Sequence, residues 1–455
     1  MTLRLLDPST GKLVRELETD TPTDLATKVA RARAAQPAWA ALPLEIRLAC
    51  LRSFRASLGV QRERLAALLT SETGKPITQA LGEIAGVGTR IDYFVEKVPA
   101  LLVTDVVHTE PGLEERVDLE PLGVVANVSA WNYPFFVGGN VFVPALLTGN
   151  AVVYKPSELA PLTGLAIAEL LHAAGVPEDV FVTVVGAGDV GQALLENPLD
   201  GIFFTGSYAT GAKIADAARA RMIPVGLELG GKDPAYVTDD VDPTAAAAAL
   251  ADGAFYNAGQ SCCAVERIYV HENVYDAFVA AFLTEVRGFV VGEPTDPKTN
   301  LGPLTRAAQL DVLTRQVEDA RTKGANVALG GKRVDRAGNF FEPTVLLDVT
   351  HDMLVMKEES FGPIIGIQKV SGDEEGAALM RDTEYGLTAG VFCRDVGRAE
   401  RLLRTVSAGS AYINCCDRVS PRLPWSGRGH SGLGSTLGTL GVLAFVRPKA
   451  WHVRS

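Results

Sequence analysis

Short apolar, β-branched runs alternate with Ala- and Leu-rich amphipathic stretches along most of this chain. Val124–Val128 and Ala151–Tyr154 read as strands, and Ala160–Ala174 as a helix ended by Gly175-Val176-Pro177. Phe181–Val185 is extended, Gly191–Glu196 opens a helix, Gly201–Phe204 is a strand, Ser207–Ala220 a helix and Pro224–Leu229 extended. Alternation at this spacing is the pattern of a parallel sheet with crossover helices. A second series follows, with helices over Pro243–Tyr256, Val274–Arg287 and Arg306–Gly324 and strands over Ile268–Val270, Thr344–Val349 and Ile364–Val370. A chain of 455 residues also exceeds what one hydrophobic core holds, so more than one α/β unit is expected.

One segment breaks the alternation. Leu101–Gly123 switches between apolar and charged residues around Pro111-Gly112, a β-hairpin signal. The tail Val442–Val453 is also strand-like. Exposed edges of this kind pair between subunits or form a surface flap.

The charge balance excludes some partners. Lys and Arg total 43 against 54 Asp and Glu, a net charge of −11, which repels phosphate backbones and argues against nucleic acid. The six cysteines include no C-x-x-C pair, and no His stands at metal-ligand spacing, so no metal site is expected. Reduced thiols in a cytoplasmic protein account for them. Residues 1–12 lack a basic region followed by an apolar run. The charge-free stretch Pro121–Tyr154 carries Asn127, Asn132, Asn140 and Asn150, so it reads as buried interior and not as a membrane span.

Four short motifs carry chemistry. Gly186-Ala187-Gly188-Asp189-Val190-Gly191 matches the glycine pattern of a dinucleotide turn, but no acid follows at the expected distance. A plain tight turn explains it equally well. Phe204-Thr205-Gly206-Ser207, with Gly211 a turn later, offers a helix N-terminus for a phosphate or simply a helix capped by Ser207. Glu228-Leu229-Gly230-Gly231-Lys232 puts a carboxylate at a strand end. Asn257-Ala258-Gly259-Gln260-Ser261-Cys262-Cys263 sets a thiol in a polar loop, unlike a core cysteine. Carboxylate and thiol are a possible base and nucleophile, although a lone cysteine is more often structural.

These motifs, with Pro121-Leu122-Gly123-Val124, Trp131-Asn132-Tyr133-Pro134, Lys155-Pro156-Ser157-Glu158, Glu358-Glu359-Ser360-Phe361-Gly362-Pro363, Tyr385-Gly386-Leu387 and Ser431-Gly432, run in the order found in NAD(P)-dependent aldehyde dehydrogenases. The chain resembles that superfamily over nearly its whole length. Glu228 precedes Cys262 by 34 positions, the family's interval between base and nucleophile. The resemblance implies an α/β fold of three parts. A Rossmann-type cofactor domain would take residues 1–100 and 124–230, an α/β catalytic domain 231–430, and a small β oligomerisation element 101–123 and 431–455. A homodimer or homotetramer is the implied assembly.

The resemblance also implies roles. Cys262 would attack the aldehyde as a thiolate, with the Asn132 amide and the Cys262 N–H receiving the oxyanion. Glu228 would activate water to hydrolyse the thioester. Lys155 and Glu158 would hold the adenosine ribose, and Gly188 would lie near the adenine. Thr205, Gly206 and Ser207 would meet the pyrophosphate, with Gly211, Leu229 and Trp131 around them. Glu359 would bind the nicotinamide ribose beside Phe361. Glu158 favours NAD by repelling a 2′-phosphate, while Lys155 and Ser157 leave NADP possible. Cys263 is expected to point elsewhere, as packing or as a thiol able to oxidise against Cys262.

Departures from the pattern are local. Pro424-Trp425-Ser426-Gly427 replaces the commoner proline–phenylalanine–glycine–glycine stretch, and Asn140 stands where many relatives carry an aromatic. Arg418 or Arg422 would meet a substrate carboxylate, or else be exposed or paired with Asp417. Two other activities are conceivable on this fold. One is an acylating enzyme that hands the thioester to coenzyme A, against which Glu228 argues. The other is a catalytically silent binding protein, against which Cys262, Asn132 and Glu228 together argue.

Overall fold

The computed structural model describes residues 1–455 and builds them around two large sheets and two small ones. The first large sheet runs, edge to edge, Gly432–Leu433, Val225–Glu228, Gly201–Thr205, Val124–Val128, Ala151–Lys155 and Phe181–Thr183. All its pairs are parallel except the edge strand Gly432–Leu433, which lies antiparallel against Glu228 and Leu227. Its strands are apolar because both faces are covered. Helices Leu44–Val60, Ile77–Leu101 and Pro134–Leu147 bury one face, and Pro22–Ala40 and Tyr208–Arg221 the other.

The second large sheet runs Asn326–Leu329, Thr344–Leu347, Ile364–Val370, Val265–His271, Asp233–Val237, Thr388–Phe392 and Ser410–Ile413. Only its Asn326–Leu329 edge is antiparallel. Helices Pro243–Phe255 and Tyr275–Arg287 pack on one face, Ala307–Thr322 and Asp373–Arg381 on the other.

The expected hairpin forms as Asp105–Glu110 and Leu113–Pro121, and Val446–Arg454 adds a third antiparallel strand. The tail is not all strand: Gly438–Leu443 is helical, and its Val442 is buried. The strand Gly432–Leu433, expected in the small β element, instead closes the edge of the first large sheet. No helix is long and apolar enough to cross a membrane.

The two large sheets meet where carboxyl ends of the first sheet's strands face amino ends of the second's. Ser129 to Asn132 follow one strand, Lys155, Thr205 and Glu228 end three others, and Cys262 precedes a strand of the second sheet. Ligands of open α/β sheets bind outside such strand ends.

Candidate active site

Cys262 owes its position to an unusual turn. After helix Pro243–Phe255 the chain takes three successive left-handed residues, Asn257 (φ 53°), Ala258 (φ 55°) and Gly259 (φ 70°). Such a run is costly for side-chain-bearing residues and is held here by hydrogen bonds. The Asn257 N–H donates to Gln79 Oε1 at 3.1 Å, and Asn257 Nδ2 donates to the Gln260 carbonyl at 3.2 Å. Gly259 has no alternative, since a Cβ there would lie 2.3 Å from the Gly362 carbonyl oxygen. The turn leaves Cys262 half-buried, and its backbone N–H donates to no protein group. The Asn132 amide sits against the same loop, with Nδ2 donating to the Gln260 carbonyl at 3.2 Å.

The paired glycines each admit a different neighbour. A Cβ on Gly230 would fall 2.3 Å from Glu359 Oε1, and one on Gly231 would fall 2.8 Å from the Cys262 carbonyl. The Gly231 N–H then donates to Glu359 Oε1 at 3.0 Å. Behind them lies a buried ion pair that motif reading did not single out. Lys232 Nζ donates to Glu266 Oε2 at 2.5 Å, and Glu266 accepts the N–H groups of Ser360 at 2.9 Å and Phe361 at 3.0 Å. This pair fixes the Glu359–Phe361 turn, in which Phe361 takes a left-handed φ of 46°. The Phe361 ring meets Trp131 edge to face, with centroids 5.6 Å apart.

Glu228 ends its strand facing the cavities, where it accepts a hydrogen bond from the Thr436 hydroxyl. Removal from bulk water raises its carboxyl to about 7, against the opposing pull of the Thr436 hydrogen bond and the Arg90 charge. Burial likewise raises Glu359 to about 7, assisted by the nearby Glu266 charge.

Three spaces adjoin these groups. A long cleft of about 1010 Å³ is bordered by Trp131, Lys155, Glu158, Gly188, Gly206 and Ser207. It runs into a space of about 470 Å³ that holds Asn132, Leu229, Glu359 and Phe361. A third cavity of about 350 Å³, with Tyr133, Phe136, Tyr256 and Trp425 in its wall, opens from the other side. Cys262 and Glu228 belong to the walls of both the second and the third. The two groups therefore stand where the long cleft and a cavity with both aromatic and charged walls meet.

The cleft fits a dinucleotide. The Lys155 ammonium is buried at 3% exposure with only loose partners, the Pro156 carbonyl at 3.4 Å and Glu158 at 4.0 Å. Gly188 faces open space. Ser207 stands at the N-cap of Tyr208–Arg221 but does not cap it. Its hydroxyl bonds Thr210 Oγ1 at 3.2 Å instead, and with the Thr210 N–H donating to the Ser207 carbonyl the Tyr208 and Ala209 N–H groups are left free at the helix start. Both glycine turns that competed in the sequence therefore border the same space. Gly211 is set apart from the cleft wall, packed where a Cβ would come 2.6 Å from Leu229.

Two expectations need correction. Cys263 does not point away from Cys262: it borders the same cavity, and its thiol donates to Asp417 Oδ1 at 2.9 Å. Contact with the Cys262 thiol, burial and the Asp417 charge hold it well above the usual thiol range. Asp417 is therefore engaged by a thiol and not by an arginine side chain. Arg418 is exposed at the cavity and donates to the Asp417 carbonyl at 3.2 Å, while Arg422 takes no part in the cavity wall.

A doubly wound sheet whose long cleft leads to a cysteine and a raised carboxyl has the layout of a dinucleotide-linked oxidoreductase. The model of the aldehyde dehydrogenase family matches residues 1–451, and the chain belongs to that family. It is an NAD(P)-dependent oxidoreductase of aldehydes. The chain is 35% identical over 445 residues to a succinate-semialdehyde dehydrogenase [NADP(+)] of Deinococcus radiodurans, covering 98% of this chain and 93% of that one. It is 34% identical over 457 residues to the peroxisomal aminoaldehyde dehydrogenase 1 of Malus domestica, covering 98% and 91%. Lactaldehyde dehydrogenase of Escherichia coli superposes with a TM-score of 0.96 at 33% identity, covering 100% of this chain and 96% of that one.

Proposed function

We propose that Cys262 is the nucleophile, Asn132 the oxyanion donor and Glu228 the general base of this oxidation. The observation that carries the reading is the shared position of Cys262 and Glu228 between cleft and cavity, beside an unengaged Cys262 N–H. The Cys262 thiolate adds to the aldehyde carbon. The new oxyanion accepts from Asn132 Nδ2 and the Cys262 N–H, donors set where charge develops. A nicotinamide held beside Glu359 and Phe361 would supply the acceptor for the hydride that leaves this adduct. Cys262 then carries a thioester. Glu228 takes a proton from the water that attacks it, and the thiolate leaves as the acid departs. A carboxyl near 7 is suited to that transfer at neutral pH. A base beside the thioester favours water over coenzyme A as acyl acceptor.

Lys155 and Glu158 are proposed to hold the adenosine ribose, Ser207 and the first-turn N–H groups the pyrophosphate, and Glu359 the nicotinamide ribose. NAD is the preferred dinucleotide and NADP is accepted beside Lys155 and Ser157. A homodimer or homotetramer is proposed through the strand Asp105–Glu110, an open edge with Val106 52% and Val107 57% exposed. Six unpaired thiols support a reducing, cytoplasmic setting.

Mixing the protein with propanal or benzaldehyde and either dinucleotide, and following absorbance of the reduced cofactor, tests the activity. Cys262→Ser is expected to bind dinucleotide normally and lose the reaction. A Cys262→Ser enzyme turning over at the parent rate would remove the nucleophile assignment.

A further inference from the structure

Three arginines of this chain are almost fully buried, and two of them each donate to four or more oxygens of the protein. Arg47 donates to the carbonyls of Leu147, Trp39, Ala40 and Leu42. Arg267 donates to the carbonyls of Lys232, Leu379, Asp382 and Met380 and to the Tyr269 hydroxyl. Several acceptors around the fork are the normal condition for a buried guanidinium.

Arg90, on helix Ile77–Leu101, is the exception. It is 8% exposed and borders the aromatic cavity that ends at Cys262. Its one hydrogen bond runs from Nη1 to Asn140 Oδ1 at 2.7 Å. The guanidinium lies over the Phe136 ring, 3.9 Å from its centroid, which holds the plane still. No carboxylate of the protein forms an ion pair with it.

The acids on the same cavity are already engaged, with one exception at the rim. Glu83 is paired with buried Lys75 and accepts the Phe135 N–H at 2.9 Å. Asp417 holds the Cys263 thiol and Glu228 the Thr436 hydroxyl. Asp252 is exposed. The unfilled donors inside the cavity therefore belong to a fixed cation.

Resting on the reading of Cys262 as nucleophile, we infer that Arg90 is the specificity-determining residue of this cavity and takes the carboxylate of an aldehyde that carries one at its far end. Asn140 orients the fork and Phe136 supports its face, so that the free N–H groups meet two carboxylate oxygens. An uncharged tail leaves the free N–H groups of the guanidinium unmet, and an ammonium tail adds repulsion.

Succinic semialdehyde, butanal and 4-aminobutanal share a four-carbon chain and differ in the far group, so they serve as probes. The wild-type kcat/KM for succinic semialdehyde is expected to exceed that for butanal by about 10–100-fold, the range of a charge-assisted pair. In Arg90→Gln this ratio is expected to fall to near one, chiefly through KM, and Arg90→Lys to recover part of it. Equal wild-type values for the acid and butanal, or a preference for 4-aminobutanal, would overturn the inference without needing the variants to fold. A fall in Arg90→Gln shared equally by all three aldehydes would also overturn it, because Arg90 would then act on Glu228 and not on the substrate. Absence of reduced cofactor with every aldehyde would strike the underlying reading instead.

Discussion

The Thr436 hydroxyl donates to the Glu228 carboxylate across 208 positions of sequence. The contact exists because Gly432–Leu433 pairs against Glu228 and Leu227 and brings the following residues over the carboxyl group. It favours the charged form of a group whose burial has raised it to about 7. In Thr436→Val the donor is lost and the carboxyl rises further. Glu228 works as a base only when ionised, so the limb of kcat that rises with pH through about 7 is expected to move to higher pH. The variant then loses most at pH 6 and least at pH 9. A pH profile that does not move would separate Thr436 from the base.

Asn132→Ala removes one of the two proposed oxyanion donors. Its kcat is expected to fall by about 100–1000-fold, with dinucleotide affinity kept. Single-turnover rates measured with saturating cofactor check this, and a loss below tenfold would take Asn132 out of the role.

Lys232 and Glu266 form a pair with no solvent to replace a missing partner: Lys232 is 0% and Glu266 4% exposed. Lys232→Met leaves the Glu266 charge buried and uncompensated. About 3–5 kcal/mol of stability is expected to be lost, read as a lower denaturation midpoint. The Ser360 and Phe361 N–H groups rest on Glu266, so KM for the dinucleotide is expected to rise as well.

Glu158 stands 4.0 Å from Lys155 in the wall of the cleft, at the end proposed to hold the adenosine ribose. Glu158→Ala removes the charge that repels a 2′-phosphate. The NADP-to-NAD ratio of kcat/KM is expected to rise roughly fivefold, the effect of about 1 kcal/mol between charges a few ångströms apart in water. Steady-state kinetics with both cofactors decide it.

The alternation of apolar runs made the two large sheets legible, because parallel strands buried on both faces leave little else in their composition. Strand Val265–His271 was foreshortened to Ile268–Val270 for a physical reason. Glu266 and Arg267 look like loop residues, yet both are buried, one by an ion pair and the other by carbonyls. The helix Gly438–Leu443 was hidden inside an apolar tail by Gly438 and Gly441, poor helix formers chosen for close packing: a Cβ on Gly441 would come 2.3 Å from the Thr436 backbone. The motifs located Cys262, Glu228, Asn132 and the cleft residues because backbone geometry and short spacing tie them together. Thr436 and Arg90 left no local signal. Each reaches the site only through a sheet edge or a long helix whose placement is a tertiary fact. The buried Lys75–Glu83 pair, which supports Tyr133 through an ammonium 3.7 Å from its ring centroid, was invisible for the same reason.

The central claim is that the acyl group rests on Cys262 until Glu228 readies water to remove it. Glu228→Gln, mixed rapidly with NAD and propanal, is expected to give a burst of NADH of about one per active site and then stall. Mass analysis of the stalled enzyme should find the propanoyl group on the peptide bearing Cys262. Sustained turnover at the parent rate, or an acyl group on any other residue, would contradict the account.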